Sequence, residues 1–210
     1  MDRSDMMHVM YDKKGPAVAK NFEKRGFAAW YCPTVEEALK LALELIPEGS
    51  TIAMGGCMSA HEIGLIKALE EGNYNYIDRA KLDPRAGLMA AYDADVFLSS
   101  ANAITDDGIM VNIDGNSNRV SCIAQGPKKV IFIVGINKVC SDLDAAMKRA
   151  RNVAAPVNAQ RFEVKTPCKT TGKCFDCKSP DTICCQFLIT RYSRHTGRIH
   201  VILVNDNLGF

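Results

Sequence analysis

Thr51-Ile52-Ala53-Met54-Gly55-Gly56-Cys57-Met58-Ser59-Ala60-His61-Glu62 decides how this 210-residue chain is read. The first four residues are an apolar run of strand length. Two glycines break it, and Ser59 with Glu62 three positions on has the spacing of a capping box, so a helix starts directly after the turn. Outward from this joint the alternation continues. Asp12 to Arg25 reads as a helix closed by Gly26. Thr34 and Glu37 cap a second helix that stops at Pro47. Downstream, Tyr74 to Asp78 reads as a strand, and Asp83-Pro84 opens a helix where the missing proline N–H costs little. Ala94 to Leu98, Val130 to Val134 and Arg198 to Asn205 are apolar strands. Strands separated by helices predict an α/β fold with a mostly parallel sheet covered on both faces. One stretch departs from the pattern: Ile109 to Ile113 and Arg119 to Ile123 flank Asp114-Gly115-Asn116, which predicts a hairpin-like excursion.

Length and composition predict one domain over residues 1–210, with a sizeable core (47% hydrophobic). A net charge of +2 gives no electrostatic case for nucleic acid or a membrane surface. The N-terminus is charged and lacks an apolar secretory core, and the apolar runs are far too short to span a bilayer. The expected location is cytoplasmic, with no membrane insertion and no nucleic-acid partner. A homo-oligomer stays open.

Nine cysteines stand out, and five of them fall in one short segment. Without a secretory leader, such a cluster points to metal or redox chemistry rather than to disulfides. The spacing is Cys168-x5-Cys174-x2-Cys177-x6-Cys184, with Cys185 adjacent. A Cys-x2-Cys pair grips one centre across a tight turn, and two further thiolates complete a tetrahedral zinc site or a cubane cluster. Ser179-Pro180 reads as a helix start that would project Cys184 toward the loop. Pro167 to Ser179 holds few core residues and needs something other than a core to organise it. The scattered Cys122 and Cys140 read as small buried hydrophobes.

Polar residues gather where the apolar strands end. Gly55-Gly56-Cys57 lets backbone approach a ligand at a helix N-terminus. Asn102, Thr105 and Asp106 follow one strand, Asn118 and Arg119 follow the Asx-rich turn, and Lys138 ends another strand. Together they form a candidate crevice for a small anionic metabolite at the carboxyl ends of a parallel sheet. Turn-making alone also accounts for several of the Asx and Gly residues, and His61 reads as a surface helix residue.

The run Ser100-Ala101-Asn102-Ala103-Ile104-Thr105-Asp106-Asp107-Gly108 is followed by Val111-Asn112-Ile113-Asp114-Gly115, Asn118-Arg119-Val120 and Gly126-Pro127-Lys128-Lys129-Val130. Then come Gly135-Ile136-Asn137-Lys138 and Ala154-Ala155-Pro156-Val157-Asn158-Ala159. Jointly these resemble the lactate-utilisation (LUD) domain family across nearly the whole chain. The family is similar to the ribose-phosphate isomerase and CoA-transferase superfamily, which implies a Rossmann-like sheet with its site at the strand ends. Enzymes of that superfamily use a carboxylate; Asp95, Asp106, Asp107 and Asp114 are available, and none is assigned. Relatives often carry Ser where Cys57 stands. The segment Pro167-Cys168, Gly172-Lys173-Cys174, Asp176-Cys177, Ser179-Pro180, Ile183-Cys184 resembles a C-terminal cysteine motif of some LUD proteins and selects Cys184 over Cys185. The resemblance implies a redox-associated protein of lactate or hydroxy-acid metabolism with a [4Fe-4S] cluster and other redox or iron–sulfur subunits as partners. An isomerase- or transferase-type enzyme, or a non-catalytic binding subunit, with structural zinc stays open beside it. Metal analysis of protein purified without oxygen separates these.

Overall fold

The computed structural model describes residues 2–210. The chain opens with α1 (Arg3–Glu23). It starts at Arg3, not Asp12, because Asp2 and Asp5 cap each other: the Asp5 N–H donates to the Asp2 carboxylate at 2.9 Å, and the Asp2 N–H donates to that of Asp5 at 3.1 Å. Then come β1 (Ala28–Cys32), α2 (Val35–Leu45), β2 (Thr51–Met54), α3 (Met58–Glu62), α4 (Leu65–Glu71), β3 (Asn75–Tyr76), α5 (Pro84–Tyr92) and β4 (Val96–Ser99). An inserted unit follows, made of β5 (Ala103–Thr105), β6 (Met110–Asp114) and α6 (Asn118–Ala124). The chain continues through β7 (Lys129–Gly135), β8 (Val139–Cys140), α7 (Leu143–Arg149), α8 (Ala155–Ala159), α9 (Pro167–Thr171), β9 (Gln186–Thr190) and β10 (Ile199–Val204).

The main sheet has six strands in the order β1-β10-β7-β4-β2-β3, with every pairing parallel. The expected α/β, Rossmann-like class is therefore the observed one. Its strands are continuous apolar runs because both faces are covered. In β7, Val130, Phe132 and Val134 face one buried cluster with residues of α1, α5 and α6, while Ile131 and Ile133 face the other with residues of α2, α3 and α4. Ile133 is fully buried. Ile133→Val is expected to cost about 0.5–1.5 kcal/mol, read as a lower urea midpoint at unchanged slope. An unchanged midpoint would contradict tight packing on that face.

A second, four-stranded sheet, β8-β5-β6-β9, lies beyond the ends of the main one. Here the expected hairpin is displaced. The antiparallel partner of β6 is β5, through the turn at Asp106 to Ile109, and on its other edge β9. Arg119 to Ile123 is helix, not strand. The Asp114 carboxylate accepts the N–H groups of Asn116, Arg119 and Val120 at 2.9–3.1 Å and so caps α6. Ser117, in the left-handed region at φ 60°, makes no cap bond of its own.

Two further expectations change. The helix after the glycines starts at Met58 with Cys57 in the N-cap position making no side-chain cap bond, and Gly64 splits it into α3 and α4. Ser59 does not cap it; its hydroxyl is turned inward. No helix begins at Ser179-Pro180; the segment forms turns, and the helix of this region is α9 instead. Among the described residues no helix is long and apolar enough to cross a membrane.

Candidate functional site

Connections from β2 run outward to β3 and back to β4, so the chain reverses direction across the sheet between β2 and β4. In open parallel sheets such a reversal leaves a crevice beyond the carboxyl ends of the strands. A cavity of about 580 Å³ lies there. The turn after β2 lines it with Gly55 and Gly56, that after β4 with Ser100 and Asn102, α6 with Asn118 and Arg119, and the turn after β7 with Lys138. Arg79, Arg161 and the tail residues Gly209 and Phe210 complete the wall.

The two glycines of the β2 turn serve different needs. Gly56 has φ +72°, which disfavours a side chain, and has open space around it. At Gly55 a Cβ would sit 2.7 Å from the Phe97 ring and 2.9 Å from Arg119 Cγ, so its lack of a side chain lets Arg119 pack against the turn.

Arg119 ties the crevice together. It donates to the Ser100 carbonyl at 3.2 Å, to Asn102 Oδ1 at 2.9 Å and to the Ile113 carbonyl at 2.6 Å. Asn112 donates to the same Ser100 carbonyl at 2.9 Å. Arg149 holds the Asn102 carbonyl at 2.6 Å and that of Asn137 at 3.1 Å. With its nitrogen toward Asp114 Oδ1 at 3.1 Å, the Asn118 amide accepts from Arg79 at 3.3 Å.

Lys138 is 2% exposed. Its ammonium donates to Ser100 Oγ at 2.9 Å and Ser59 Oγ at 3.4 Å, both on buried residues. Among the described residues no carboxylate forms an ion pair with it. Burial pushes it down to about 8, and Arg149 and Arg119 push the same way against Cys57 and Glu62. A buried cation without a carboxylate, at the end of a parallel strand, suits an incoming anion.

Cys168, Cys174, Cys177 and Cys184 line a second, smaller cavity of about 60 Å³; Cys185 does not. Cys168 is buried on α9, Cys174 and Cys177 sit on the loop after it, and Cys184 lies two residues before β9. Burial pushes the Cys184 thiol up to about 11, reinforced by Cys168, Cys174 and Cys177 around it. Four cysteine side chains that line one small space are a donor set a cation can bind once the thiols give up their protons. Arg151, in a π-helical turn over Ala150–Ala154, donates toward Cys174 Sγ at 3.8 Å and pairs with Asp176 at 2.5 Å. Among the described residues no three His, Cys, Asp or Glu side chains gather closely enough for a single metal ion.

The LUD domain profile matches residues 16–204. The chain belongs to the LUD domain family. That family is associated with lactate utilisation. Of solved structures, the LUD chain is similar to a DUF162 family protein from Deinococcus radiodurans, with a TM-score of 0.52 and 12% identity over 93% of this chain and 98% of that one. At that identity the likeness concerns the fold. It is also similar to eIF2B beta from Chaetomium thermophilum, with a TM-score of 0.38 and 16% identity over 51% of this chain and 43% of that one. No curated protein matches.

The crevice of this LUD protein brings together Gly55, Gly56, Asn102, Asn118, Arg119 and Lys138. Thr105, Asp106 and Cys57 do not line it. Three residues of β5 carry the chain roughly 10 Å away from Asn102. Thr105 and Asp106 thus reach the β5–β6 turn, where Asp106 pairs with Lys14 of α1 at 2.8 Å and Thr105 bonds the Ile109 N–H at 2.9 Å. Cys57 is buried in the core beneath the turn, and burial pushes its thiol up to about 11, which makes it a poor nucleophile. The anion argument from the helix after the glycines also weakens, because α3 has only five residues. Sequence reasoning passed over Ser59, Ser100, Arg79, Arg161 and the tail. For Ser100 there was a signal: it directly follows the fully buried strand β4.

Proposed function

We infer that this LUD protein binds a small anionic metabolite beside Lys138 and Arg119 and carries a [4Fe-4S] cluster on Cys168, Cys174, Cys177 and Cys184, serving a redox role in hydroxy-acid metabolism. The observation that carries this reading is a shared wall: Thr182 and Ile183 line both the crevice and the cysteine cavity. The wall is fastened to the crevice floor, since the Cys185 N–H donates to the Asp114 carbonyl at 2.9 Å. The donor set fits the group. Four sulfurs around one space match cubane ligation, whereas tetrahedral zinc with Zn–S near 2.3 Å would need them within about 4 Å of one another. When bound, the cluster would supply one-electron transfer. The chain's own part is to hold the ligand's negative charge against Lys138 and Arg119, to orient it from Asn102, and to keep water from the wall at Ile183.

The test uses protein purified without oxygen. Iron and acid-labile sulfide are expected in equal amounts near four per chain, with visible absorbance that shifts on adding a small carboxylate. Zinc alone at one equivalent would overturn the cluster. Full iron with no response to any small carboxylate would overturn the link between the two cavities. Other redox or iron–sulfur subunits are the partners this reading calls for.

A further inference from the structure

Lys138 has more than a charge to offer. Its amine lines the crevice, is almost wholly buried, and among the described residues finds its hydrogen-bond partners in two hydroxyls, Ser100 and Ser59. Glu62, the carboxylate of α3 that faces it, accepts the Gly209 N–H at 2.6 Å instead. The chain keeps the approach to the amine clear. A Cβ on Gly209 would stand 2.9 Å from both Lys138 Nζ and Ser59 Oγ, in the space where a ligand must meet them. Ser100 is fixed in turn, because Asn112 and Arg119 both hold its carbonyl. The arrangement therefore has a nucleophile, two hydroxyls able to relay protons to it, and the cations Arg79, Arg119 and Arg161 on the walls of one cavity.

We propose that Lys138 forms a Schiff base with a small carbonyl-bearing carboxylate, a 2-oxo acid, held in the crevice; this deepens the anion-binding reading above and rests on it. The neutral amine adds to the carbonyl carbon, and the C–O π pair moves to the oxygen. That oxygen takes a proton through Ser100, which is resupplied from the Lys138 nitrogen. The carbinolamine then loses its hydroxyl as water while nitrogen gives up a proton to the leaving group. Amine and carbonyl become imine and water, and no oxidant or reductant enters. A lysine pushed down to about 8 by burial holds roughly a tenth of its amine neutral at pH 7, far more than an exposed one. The charged or titratable groups that face it are Cys57, Glu62, Arg119 and Arg149.

The test incubates the full chain with glyoxylate and cyanoborohydride, then maps the reduced adduct by peptide mass. One adduct per chain is expected at Lys138, forming ahead of labelling at the exposed Lys67 and Lys81. Its rate should climb with pH and level off near 8, where exposed lysines are still accelerating. Lys138→Arg should abolish it. Ser100→Ala, which keeps the amine, should slow it by about 10²-fold through loss of proton relay, and covers the case in which Lys138→Arg does not fold. Reversible glyoxylate binding by equilibrium dialysis, with labelling at Lys138 no faster than at Lys67, would overturn the Schiff base and leave the anion site standing. No glyoxylate binding at all would overturn both.

Discussion

Cys174→Ser is expected to strip the proposed cluster almost completely and to loosen residues 167–185 while the six-stranded sheet stays folded. Few apolar side chains anchor the segment. Its helix α9 has five residues with Cys168 as the buried one, and Phe175 and Phe187 beside the cysteine cavity are exposed. On the proposed reading ligation holds this segment, and metal binding at thiolate sites can contribute on the order of 10 kcal/mol of local folding free energy. The two clusters that bury the main sheet contain none of Cys168, Cys174, Cys177 and Cys184, so they lose nothing directly. Iron content should fall by more than ten-fold, amide exchange over 167–185 should rise toward that of an open chain, and strands β4, β7 and β10 should keep their protection. Cys185→Ser is the control. Cys185 is exposed, lies outside the cavity, and its Sγ faces the Thr182 carbonyl at 3.5 Å. Full iron in Cys174→Ser together with loss in Cys185→Ser would sink the assignment of ligands.

The separation of Cys184 from Cys185 shows what the sequence can and cannot convey. The motif resemblance selects Cys184 over Cys185, and a helix opened at Ser179-Pro180 is the expected means of turning it toward the loop. The segment is not helical. The chain is about to enter β9, where successive side chains go to opposite sides, so the same separation follows from a different local structure. The main sheet was legible because Thr51–Met54, Val96–Ser99 and Lys129–Gly135 bury both faces, and a strand buried on both faces writes itself as an unbroken apolar run. The inserted unit was not legible to the same degree. Arg119 to Ile123 is as apolar as a strand; the cap that the Asp114 carboxylate makes to the N–H groups of Arg119 and Val120, five and six residues on, decides for helix. The crevice was readable as strand ends, which brought in Lys138 and Asn102. Where a short strand intervenes, as β5 does, adjacency in sequence misleads, and Thr105 and Asp106 end up against α1. Ser59 was hidden by its resemblance to a cap; its partner Lys138 lies far along the chain, and no local pattern joins them.

Arg119→Ala is expected to weaken binding of glyoxylate by roughly ten- to a hundred-fold, about 1.4–2.8 kcal/mol, and to destabilise the fold by about 1–3 kcal/mol. The stability cost is bounded by what the remaining groups can do. Ser100 O keeps the Asn112 amide, and Asn102 Oδ1 keeps the Ile113 N–H at 2.8 Å. The Ile113 carbonyl and the packing of the Arg119 stem on Gly55 bear most of the loss. The ligand feels more, because Arg119 both contributes charge and sets the Ser100 and Asn102 turns that flank Lys138. Arg119→Lys separates the two roles. It restores a cation, but an ammonium cannot span the Ser100, Asn102 and Ile113 oxygens with one planar fork. Stability should therefore recover less than affinity does. Calorimetric titration with glyoxylate beside urea unfolding reads both quantities on each variant. Wild-type affinity in Arg119→Ala would remove Arg119 from the anion site and leave it a brace between β4, β6 and the glycine turn. Affinity lost equally in both variants would mean that positioning of the turns, not charge, is what the ligand requires from this residue.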